Sequence, residues 1–341
     1  MPKVAVPAAV PAAVPAFVPH PLFRGGHLQT LAGAYLWRRS PDAATQHRVE
    51  LPDGDQLVVH DNRPDPWKTG DRVVLLLHGL AGCHDSGYMS RIASKLCLRG
   101  FRVFRLDQRG CGAGATLATQ TFHAGRSDDV RQTLLQLQQL CGPSPVTVVG
   151  FSLGAAILLK MLVELKEGRV GGIDSAIAVA PPIDLMRCSQ NIGRGWNRIY
   201  DLSFVRSLMR YVKNRQVGDP AFELFRQGFR PRTLYEFDAM FTAPLGGFVD
   251  VKDYYTRCST YQQLSQVTIP TRLLTAADDP LVPIESFGVT ELPTAVQLMV
   301  TKDGGHLGYV GTRDSSTDAD WHWMDWRIVD WVIDFDRVKA K

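Results

Sequence analysis

Short apolar runs alternate with longer amphipathic segments along most of this chain. The runs are rich in Val, Ile and Leu, as is typical of strands buried on both faces of a sheet. They predict eight strands, at 47–50, 57–60, 73–77, 101–106, 146–149, 176–180, 272–275 and 296–301. The amphipathic segments predict helices at 88–98, 127–140, 153–167 and 320–338. This alternation indicates βαβ units and a mostly parallel sheet with helices on both faces.

Two local signals mark where elements begin and end. The turn Pro52-Asp53-Gly54-Asp55 is made of residues favoured in tight turns, so we expect the first two strands to form an antiparallel hairpin at the sheet edge. Ser127, Asp128 and Asp129 open the helix at 127–140. We expect Ser127 to cap that helix, because a serine hydroxyl can accept a hydrogen bond from a free N–H of the first turn.

The alternation lapses between Ile183 and Gln266. This stretch lacks clear strand patterns, yet it is too apolar for a linker and too long for a simple loop. Its aromatic residues include Trp196, Phe204, Phe222, Phe225, Phe229, Phe237, Phe241 and Phe248. We expect a helical cap inserted between the sixth and seventh strands, with an ordinary packing layer as the alternative. The chain then divides into an α/β core, 21–182 and 267–341, and a cap, 183–266.

The N-terminal arm, residues 1–20, is rich in Ala, Val and Pro. Recurrent proline prevents a continuous apolar helix, so we expect a disordered or extended arm rather than a signal peptide. No apolar run is long enough to predict a membrane-spanning helix. The six cysteines show no regular spacing and no metal-binding pattern, which fits a reducing compartment. We therefore expect a cytoplasmic protein that uses neither a metal nor another cofactor.

The net charge of +4 gives no general argument for binding nucleic acid. Positive charge is concentrated locally, however: the stretch 187–232 holds ten Lys and Arg residues against Asp201, Asp219 and Glu223. Such an excess favours an anionic substrate or peripheral contact with a membrane surface, and a solvated helical face is the alternative. The oligomeric state is not indicated by the sequence.

A candidate nucleophile lies in Gly150-Phe151-Ser152-Leu153-Gly154. The motif follows a β-branched run and precedes a segment that predicts a helix, which is the strand, turn and helix setting of a nucleophilic serine. The turn places the hydroxyl of Ser152 at the positive end of the helix, beside N–H groups that suit a developing oxyanion. The alternative is an ordinary glycine-rich turn.

The serine needs an imidazole base and an acid that orients it. Of the nine histidines, only His306 and His322 follow Ser152. His306 lies in a glycine-rich loop directly after the last predicted strand, whereas His322 lies in an amphipathic helix. We therefore select His306. The acid should follow the preceding strand, where Asp278 and Asp279 are adjacent; we select Asp279 and leave Asp278 open as the alternative.

The oxyanion requires backbone donors. The loop after the strand at 73–77 contains His78-Gly79-Leu80, and we expect the N–H of Leu80 to act with that of Leu153. His78 is expected to brace this loop. Asp107 and Arg109, at the end of the strand at 101–106, are expected to hold their own turn through local hydrogen bonds.

Several motifs together resemble the YheT-like branch of the α/β-hydrolases. They are Phe23-Arg24-Gly25-Gly26-His27-Leu28-Gln29-Thr30, His78-Gly79-Leu80, Asp107-Gln108-Arg109-Gly110, Gly150-Phe151-Ser152-Leu153-Gly154, Asp278-Asp279-Pro280, the segment 237–248 and the pair Tyr254-Tyr255. The similarity runs from about residue 20 to residue 338, and the His-Leu-Gln-Thr segment is its most particular mark. Ala155 departs from the pattern, since many members have a further glycine there.

The resemblance implies an α/β-hydrolase fold and a serine esterase, a carboxylic ester hydrolase of the carboxylesterase or lipase-like kind, with Ser152, His306 and Asp279 as its triad. The aromatic cap suggests an apolar acyl group, on a small-molecule or lipid ester. Thioesterase, amidase and acyltransferase activities use the same groups, so they stay open. A non-catalytic binding protein of the same fold and a membrane-bound lipid enzyme anchored by the arm 1–20 are further alternatives.

Overall fold

A computed structural model describes residues 15–35, 44–165, 169–288, 291–312 and 318–339. All the predicted strands form, with ends shifted by a few residues. They are β1 (Thr45–Glu50), β2 (Gln56–Asn62), β3 (Val73–Leu77), β4 (Arg102–Asp107), β5 (Val146–Phe151), β6 (Ile173–Val179), β7 (Thr271–Ala276) and β8 (Val296–Thr301). They make one sheet in the order β1-β2-β4-β3-β5-β6-β7-β8.

The four predicted helices also form, and the chain has others that the sequence pattern did not delimit. The α-helices are α1 (Gly26–Tyr35), α2 (Gly87–Cys97), α3 (Ser127–Cys141), α4 (Leu153–Glu164), α5 (Leu185–Ile192), α6 (Arg198–Lys213), α7 (Pro220–Arg226), α8 (Leu234–Phe237), α9 (Ala243–Leu245), α10 (Val251–Cys258) and α11 (Trp323–Lys339). The predicted end of α4 at 167 lies outside the described residues.

The expected hairpin is confirmed at the sheet edge. β1 pairs antiparallel with β2, and β2 pairs antiparallel with β4, whereas the pairs from β4 through β8 are parallel. Parallel strands end at the same edge of the sheet, so the loops after β3, β5, β7 and β8 emerge side by side. The predicted mostly parallel sheet is thus confirmed, and its carboxyl edge collects the loops that carry the candidate residues.

Alternating side chains on the central strands build two apolar cores, one on each face of the sheet. Leu75 and Leu77 of β3 face the core that contains α3 and α4, whereas Val74 and Leu76 face the core formed with α2 and α11. All four side chains are buried. Because both faces of the strand are covered, its sequence is a continuous apolar run rather than an alternation.

The expectation of a serine cap on α3 was wrong. The residue preceding the helix is Arg126, which makes no side-chain capping bond, and Ser127 is already helical. The hydroxyl of Ser127 donates instead to a carboxylate oxygen of Glu164 at the end of α4. The hydroxyl of Ser127 is therefore bonded to a residue of another helix instead of a backbone N–H of its own helix. Asp128 and Asp129 still put negative charge in the first turn.

The segment 183–266, here called the helical insertion, connects β6 to β7 and contains α5 to α10. Its two ends meet at one point, where the carbonyl of Ile183 accepts hydrogen bonds from the N–H groups of Thr260 (2.9 Å) and Tyr261 (3.1 Å). A π-helical turn, Asp238–Thr242, joins α8 to α9. The predicted helical character of this segment is confirmed.

The N-terminal arm is described only from residue 15. Phe17 packs edge-on against Tyr309, with ring centroids 5.4 Å apart, and the carbonyl of Pro15 accepts a 3.1 Å hydrogen bond from the indole of Trp323. Residues 15–19 therefore lie against the core, and the prediction for residues 1–14 lies outside the described part. Among the described residues, no helix has the length and apolar character that crossing a bilayer requires.

Candidate active site

Ser152 occupies a sharp turn between β5 and α4. Its backbone has φ 50° and ψ −117°, a conformation with positive φ that side chains other than glycine rarely adopt. The turn is enforced by close packing on both sides. A β-carbon at Gly150 would lie 2.6 Å from the Cα of Ala155, and one at Gly154 would lie 2.5 Å from the carbonyl oxygen of His78. Only glycine fits at these two positions, which explains the spacing of the motif.

The structure brings together the three residues selected from the sequence. The Nε2 atom of His306 lies 2.8 Å from the Oγ of Ser152, and its Nδ1 atom lies 2.9 Å from the Oδ2 of Asp279. Since an ionised carboxylate only accepts, Nδ1 carries the proton and Nε2 presents a lone pair to the serine hydroxyl. The serine thus donates to the imidazole, in the arrangement required of a nucleophile and its base.

The two neighbouring aspartates have separate positions. The Oδ1 atom of Asp279 accepts hydrogen bonds from the N–H groups of Leu281 (2.8 Å) and Val282 (3.0 Å), which leaves Oδ2 for His306. Asp278 turns away and accepts a 2.8 Å bond from the N–H of Gly305. Burial raises the pKa of Asp278. Asp279 is therefore the carboxylate in contact with the imidazole, whereas Asp278 holds the loop that carries it.

Helix α1 supports the loop of His306 from the other side. The hydroxyl oxygen of Thr30 accepts a 2.8 Å hydrogen bond from the N–H of His306. The side-chain amide of Gln29, fully buried, bonds to both backbone groups of Val310: its Nε2 donates to the carbonyl at 3.0 Å and its Oε1 accepts from the N–H at 2.8 Å. Sequence reasoning gave no role to these residues, although the His-Leu-Gln-Thr motif that contains them was visible.

The loop after β3 approaches the serine closely. A β-carbon on Gly79 would lie 3.1 Å from the Cβ of Ser152, and the N–H of Gly79 donates to the hydroxyl of Tyr88 at 3.0 Å. Leu80 is the next residue, and its side chain and that of Leu153 line a cavity together with Ser152. The two residues selected for the oxyanion site therefore flank the serine.

His78 braces this loop, as expected. Its imidazole is fully buried, and burial lowers its pKa. The neutral ring accepts a 3.2 Å hydrogen bond at Nε2 from the N–H of Gln108 and donates from Nδ1 to the carbonyl of Gly79 at 2.8 Å. The loop after β3 is thereby tied to the loop after β4.

Asp107 and Arg109 act over a longer range than expected. Arg109 contacts Asp129 of α3 in a bidentate pair with two 2.8 Å bonds, and it also pairs with Asp53 and Asp55 of the hairpin turn. Asp107 does hold its own turn, through a 2.8 Å bond from the N–H of Ala113. It also joins His60 and His84, which the sequence did not connect because they are distant along the chain.

His60, His84 and Asp107 place metal-type ligand atoms within 4.8 Å of one another. Both imidazoles are hydrogen-bonded to the carboxylate, His60 at 2.9 Å and His84 at 2.8 Å, and their rings stack with centroids 3.4 Å apart. Burial opposes ionisation of Asp107, but its hydrogen bonds outweigh that effect and hold the pKa of the carboxyl well below its usual range. Donors from the protein thus occupy the carboxylate of Asp107.

His322, the histidine not selected, lies away from the serine. Its ring is buried just before α11, 3.3 Å from the carboxylate of Asp320. The sequence-based choice between the two late histidines thus agrees with their positions.

An apolar cavity extends from Ser152 and His306 into the helical insertion. Its wall includes Leu185, Leu208, Phe237, Phe241, Leu281 and Val282. One carboxyl also lines it: Asp238, in the π-helical turn, accepts a 2.7 Å bond from the hydroxyl of Thr242 and lies 2.8 Å from that of Tyr255. Burial raises the pKa of Asp238 to about 6.

A second and wider cavity, here called the open cavity, also reaches Ser152 and His306. It lies between α1, the loop 79–88 and α6, and its lining includes Thr30, Leu31, Tyr88, Ile199, Tyr200 and Arg206. The serine hydroxyl therefore lies between an apolar cavity and a wider cavity whose wall is both polar and apolar.

Comparison with known proteins agrees with this architecture. The chain is 29% identical over 322 residues to YheT, a candidate esterase of Escherichia coli (strain K12), and the match covers 93% of each protein. It is 27% identical over 274 residues to a monoacylglycerol lipase of Saccharomyces cerevisiae, covering 77% of this chain and 58% of the relative. The crystal structure of 2,6-dihydroxy-pseudo-oxynicotine hydrolase has the same fold, with a TM-score of 0.58 and 18% identity over 91% of this chain and 71% of that one.

The similarity to YheT confirms the resemblance drawn from the sequence motifs. Residues 72–311 match the family model described as the alpha/beta hydrolase fold. The matched region runs from β3 to the loop after β8 and includes every strand end that carries a candidate residue, so the chain belongs to the α/β-hydrolase fold family.

Proposed function

We propose that the protein is a serine hydrolase that cleaves carboxylic esters through an acyl-enzyme intermediate. The observation that carries this proposal is the pair of contacts made by His306, 2.8 Å to the Oγ of Ser152 and 2.9 Å to the carboxylate of Asp279. The strained backbone of Ser152 supports it, because such strain persists where the surrounding structure enforces it and is frequent at active sites.

In the first half of the reaction, Ser152 gives its proton to Nε2 of His306 as Oγ attacks the ester carbonyl carbon. The carbonyl oxygen becomes an oxyanion, which the N–H groups of Leu80 and Leu153 stabilise. The carbon–oxygen bond to the alcohol then breaks, and the imidazolium returns the proton to the departing alkoxide. Asp279 stabilises the imidazolium while it exists.

In the second half, the imidazole of His306 takes a proton from water, and the resulting hydroxide attacks the acyl carbon. The tetrahedral intermediate collapses, the bond to Oγ of Ser152 breaks, and the imidazolium reprotonates the serine. Every proton moves through one nitrogen atom. For Nε2 to take and return each proton, its lone pair must face the Oγ of Ser152. The hydrogen bond from Nδ1 to Asp279 favours this tautomer and orientation.

The two cavities support an assignment of where the acyl part and the alcohol part of the substrate bind. The apolar cavity, walled by Phe237 and Phe241, suits an apolar acyl chain, whereas the open cavity lined by Thr30 and Arg206 gives room for the alcohol and for water. The apolar acyl group agrees with the name of the yeast relative, a monoacylglycerol lipase. None of the six cysteines forms a disulfide bond, and we place the enzyme in the cytoplasm.

The decisive test combines a fluorophosphonate probe with hydrolysis of p-nitrophenyl acetate. Ser152→Ala should abolish labelling and lower kcat by at least about 10⁴-fold, with an unchanged circular dichroism spectrum, since its neighbours and not the hydroxyl shape the turn. Ser207→Ala, on α6, is the matched control and should retain both. Labelling that persists in Ser152→Ala would overturn the proposal, and a wild-type chain that does not label would favour the non-catalytic alternative.

Chain length tests the assignment of the acyl group. Across p-nitrophenyl esters from acetate to decanoate, kcat/KM should rise with chain length, and Phe237→Ala should flatten this rise while leaving acetate nearly unaffected. Phe237 is suited to this test because its ring lines the cavity and stacks on Phe241 at a centroid distance of 5.0 Å. No preference beyond acetate in the wild type would refute the acyl pocket. Parallel assays with thioesters, and with alcohols as acceptors, distinguish the thioesterase and acyltransferase alternatives.

A further inference from the structure

Exposed apolar side chains lie on two helices that line the open cavity, and on the short turn before the second of them. The two helices, α1 and α6, are held together by His27 and Tyr200, whose rings stack at 5.7 Å and whose Nδ1 and hydroxyl atoms lie 3.1 Å apart. The apolar members, together with three arginines discussed below, are here called the mouth surface: Leu28, Leu31, Trp196, Ile199, Leu202, Arg194, Arg198 and Arg206.

The apolar members are exposed to an unusual degree. Trp196 has 79% of its surface exposed and Ile199 has 57%. Large apolar side chains grouped on a surface mark a site of contact with another body, because scattered single residues are the normal condition. Leu31 and Ile199 also line the open cavity with Ser152, so whatever contacts this surface lies at the entrance to the serine.

Unpaired positive charge accompanies the apolar side chains. Arg194, Arg198 and Arg206 are exposed and form no ion pair with any residue that the structure describes. Asp201, the acidic residue of α6, is buried and accepts a 2.6 Å bond from the N–H of Leu234. It therefore presents no carboxylate on the outer face of the helix, and the sequence segment 187–232 has an excess of seven positive charges overall.

This combination matches one kind of partner. Tryptophan and leucine insert at the boundary between lipid head groups and acyl chains, and arginines beside them pair with anionic phosphates. We propose that the mouth surface docks onto a membrane containing anionic phospholipid, with the open cavity facing the lipid. A lipid ester could then enter and reach Ser152 without crossing water. The use of this surface in catalysis rests on the proposed function, whereas binding to the membrane does not.

The test is co-sedimentation of the full chain with vesicles of phosphatidylcholine alone or mixed with phosphatidylglycerol. Binding to the mixed vesicles should exceed binding to the neutral ones by about tenfold. Trp196→Ser with Leu202→Ser should lower that binding by about tenfold, and Arg194→Gln with Arg198→Gln should remove the preference for anionic lipid. None of these residues lines either cavity, so hydrolysis of soluble p-nitrophenyl acetate should be unchanged in both double variants.

Leu98→Ser is the matched control. Leu98 is 81% exposed but lies just past the far end of α2, whose opposite end holds Tyr88 at the open cavity, and its replacement should not affect vesicle binding. The proposal is overturned by equal binding to neutral and anionic vesicles, by wild-type binding of the Trp196→Ser and Leu202→Ser variant, or by loss of binding on deletion of residues 1–14, which would assign it to the arm. Vesicle binding without any hydrolysis would refute the proposed function but not the proposal that the mouth surface binds membranes.

Discussion

The α/β core and the helical insertion both contain buried carboxyl groups, but the hydrogen-bond donors around those groups differ. In the core, Asp107 accepts hydrogen bonds from two imidazoles and two backbone N–H groups, and its pKa lies well below the usual range. In the insertion, Asp238 has only the hydroxyls of Thr242 and Tyr255, and its pKa is raised to about 6.

The difference shows how each region is held in shape. The turns around Asp107 are fixed by an ionised carboxylate with four donors, so their geometry is insensitive to small changes of pH. The insertion is built mainly by apolar packing around Phe237 and Phe241, and its buried carboxyl, Asp238, has a pKa of about 6. We therefore expect substitutions in the core to change rates and the substitution in the insertion to change pH dependence.

The largest effect is expected from the two adjacent core aspartates. In Asp279→Asn, the amide oxygen remains with the N–H groups of Leu281 and Val282, so the amide NH2 faces Nδ1 of His306. The imidazole must then carry its proton on Nε2, where it cannot accept the serine proton, and kcat should fall by about 10³- to 10⁴-fold.

Asp278→Asn is the matched control for this prediction. Its amide oxygen can still accept from the N–H of Gly305, so the rate should fall by less than about tenfold. Measurement of kcat for both variants with p-nitrophenyl acetate decides between them. Equal losses, or a larger loss for Asp278→Asn, would contradict the assignment of Asp279.

An intermediate effect is expected at Thr30, which positions the loop of His306 without touching the serine. Thr30→Val keeps the shape of the side chain but removes the acceptor for the N–H of His306. The N–H of His306 then lacks its acceptor, and the 2.7 Å bond from the hydroxyl to the carbonyl of Gly26 is lost as well. These losses should allow the loop to shift, and kcat should fall by about tenfold with little change in KM.

The comparison for Thr30 is Thr133→Val. Thr133 is buried in α3, and its hydroxyl donates a 2.8 Å bond to the carbonyl of Asp129, remote from the serine. This variant should have a similarly lowered melting temperature but a wild-type kcat. If both variants lose activity in proportion to stability, the role of Thr30 is structural only.

The smallest effect is expected from Asp238 and concerns stability rather than rate. The folded chain keeps the proton of Asp238 up to about pH 6, whereas an unfolded chain loses it near the ordinary value of 3.8. The group's contribution to stability is therefore complete below pH 4 and is lost as the pH rises through 6, an effect of up to about 3 kcal/mol.

Asp238→Asn removes the titration while keeping the shape. The melting temperature of the wild type, measured relative to that of the variant, should fall by a few degrees between pH 5 and pH 8. Parallel melting curves across this range would show that Asp238 does not titrate there, and the contrast between the two regions would then disappear.

Much of the core could be predicted because its signals are local. Buried parallel strands are continuous apolar runs, and the spacing in Gly150-Phe151-Ser152-Leu153-Gly154 follows from backbone contacts within a single turn. Ser127 shows where such reasoning fails: the local rule predicted a cap, but a carboxylate on α4 competed successfully for its hydroxyl. The helices of the insertion were recognised as a group but not delimited, since apolar residues there serve both the cavity and the core.

The sequence alone was enough to predict the order of serine, aspartate and histidine along the chain, each at the end of a strand. This was possible because strand ends and glycine-rich turns have a recognisable local composition. Three features were decided only by the tertiary structure: which aspartate contacts the imidazole, how Gln29 and Thr30 support its loop, and how Asp107 gathers His60 and His84. Each depends on hydrogen bonds between groups that are distant along the chain, so no local sequence pattern predicts them. Such bonds are set by the distances that folding creates.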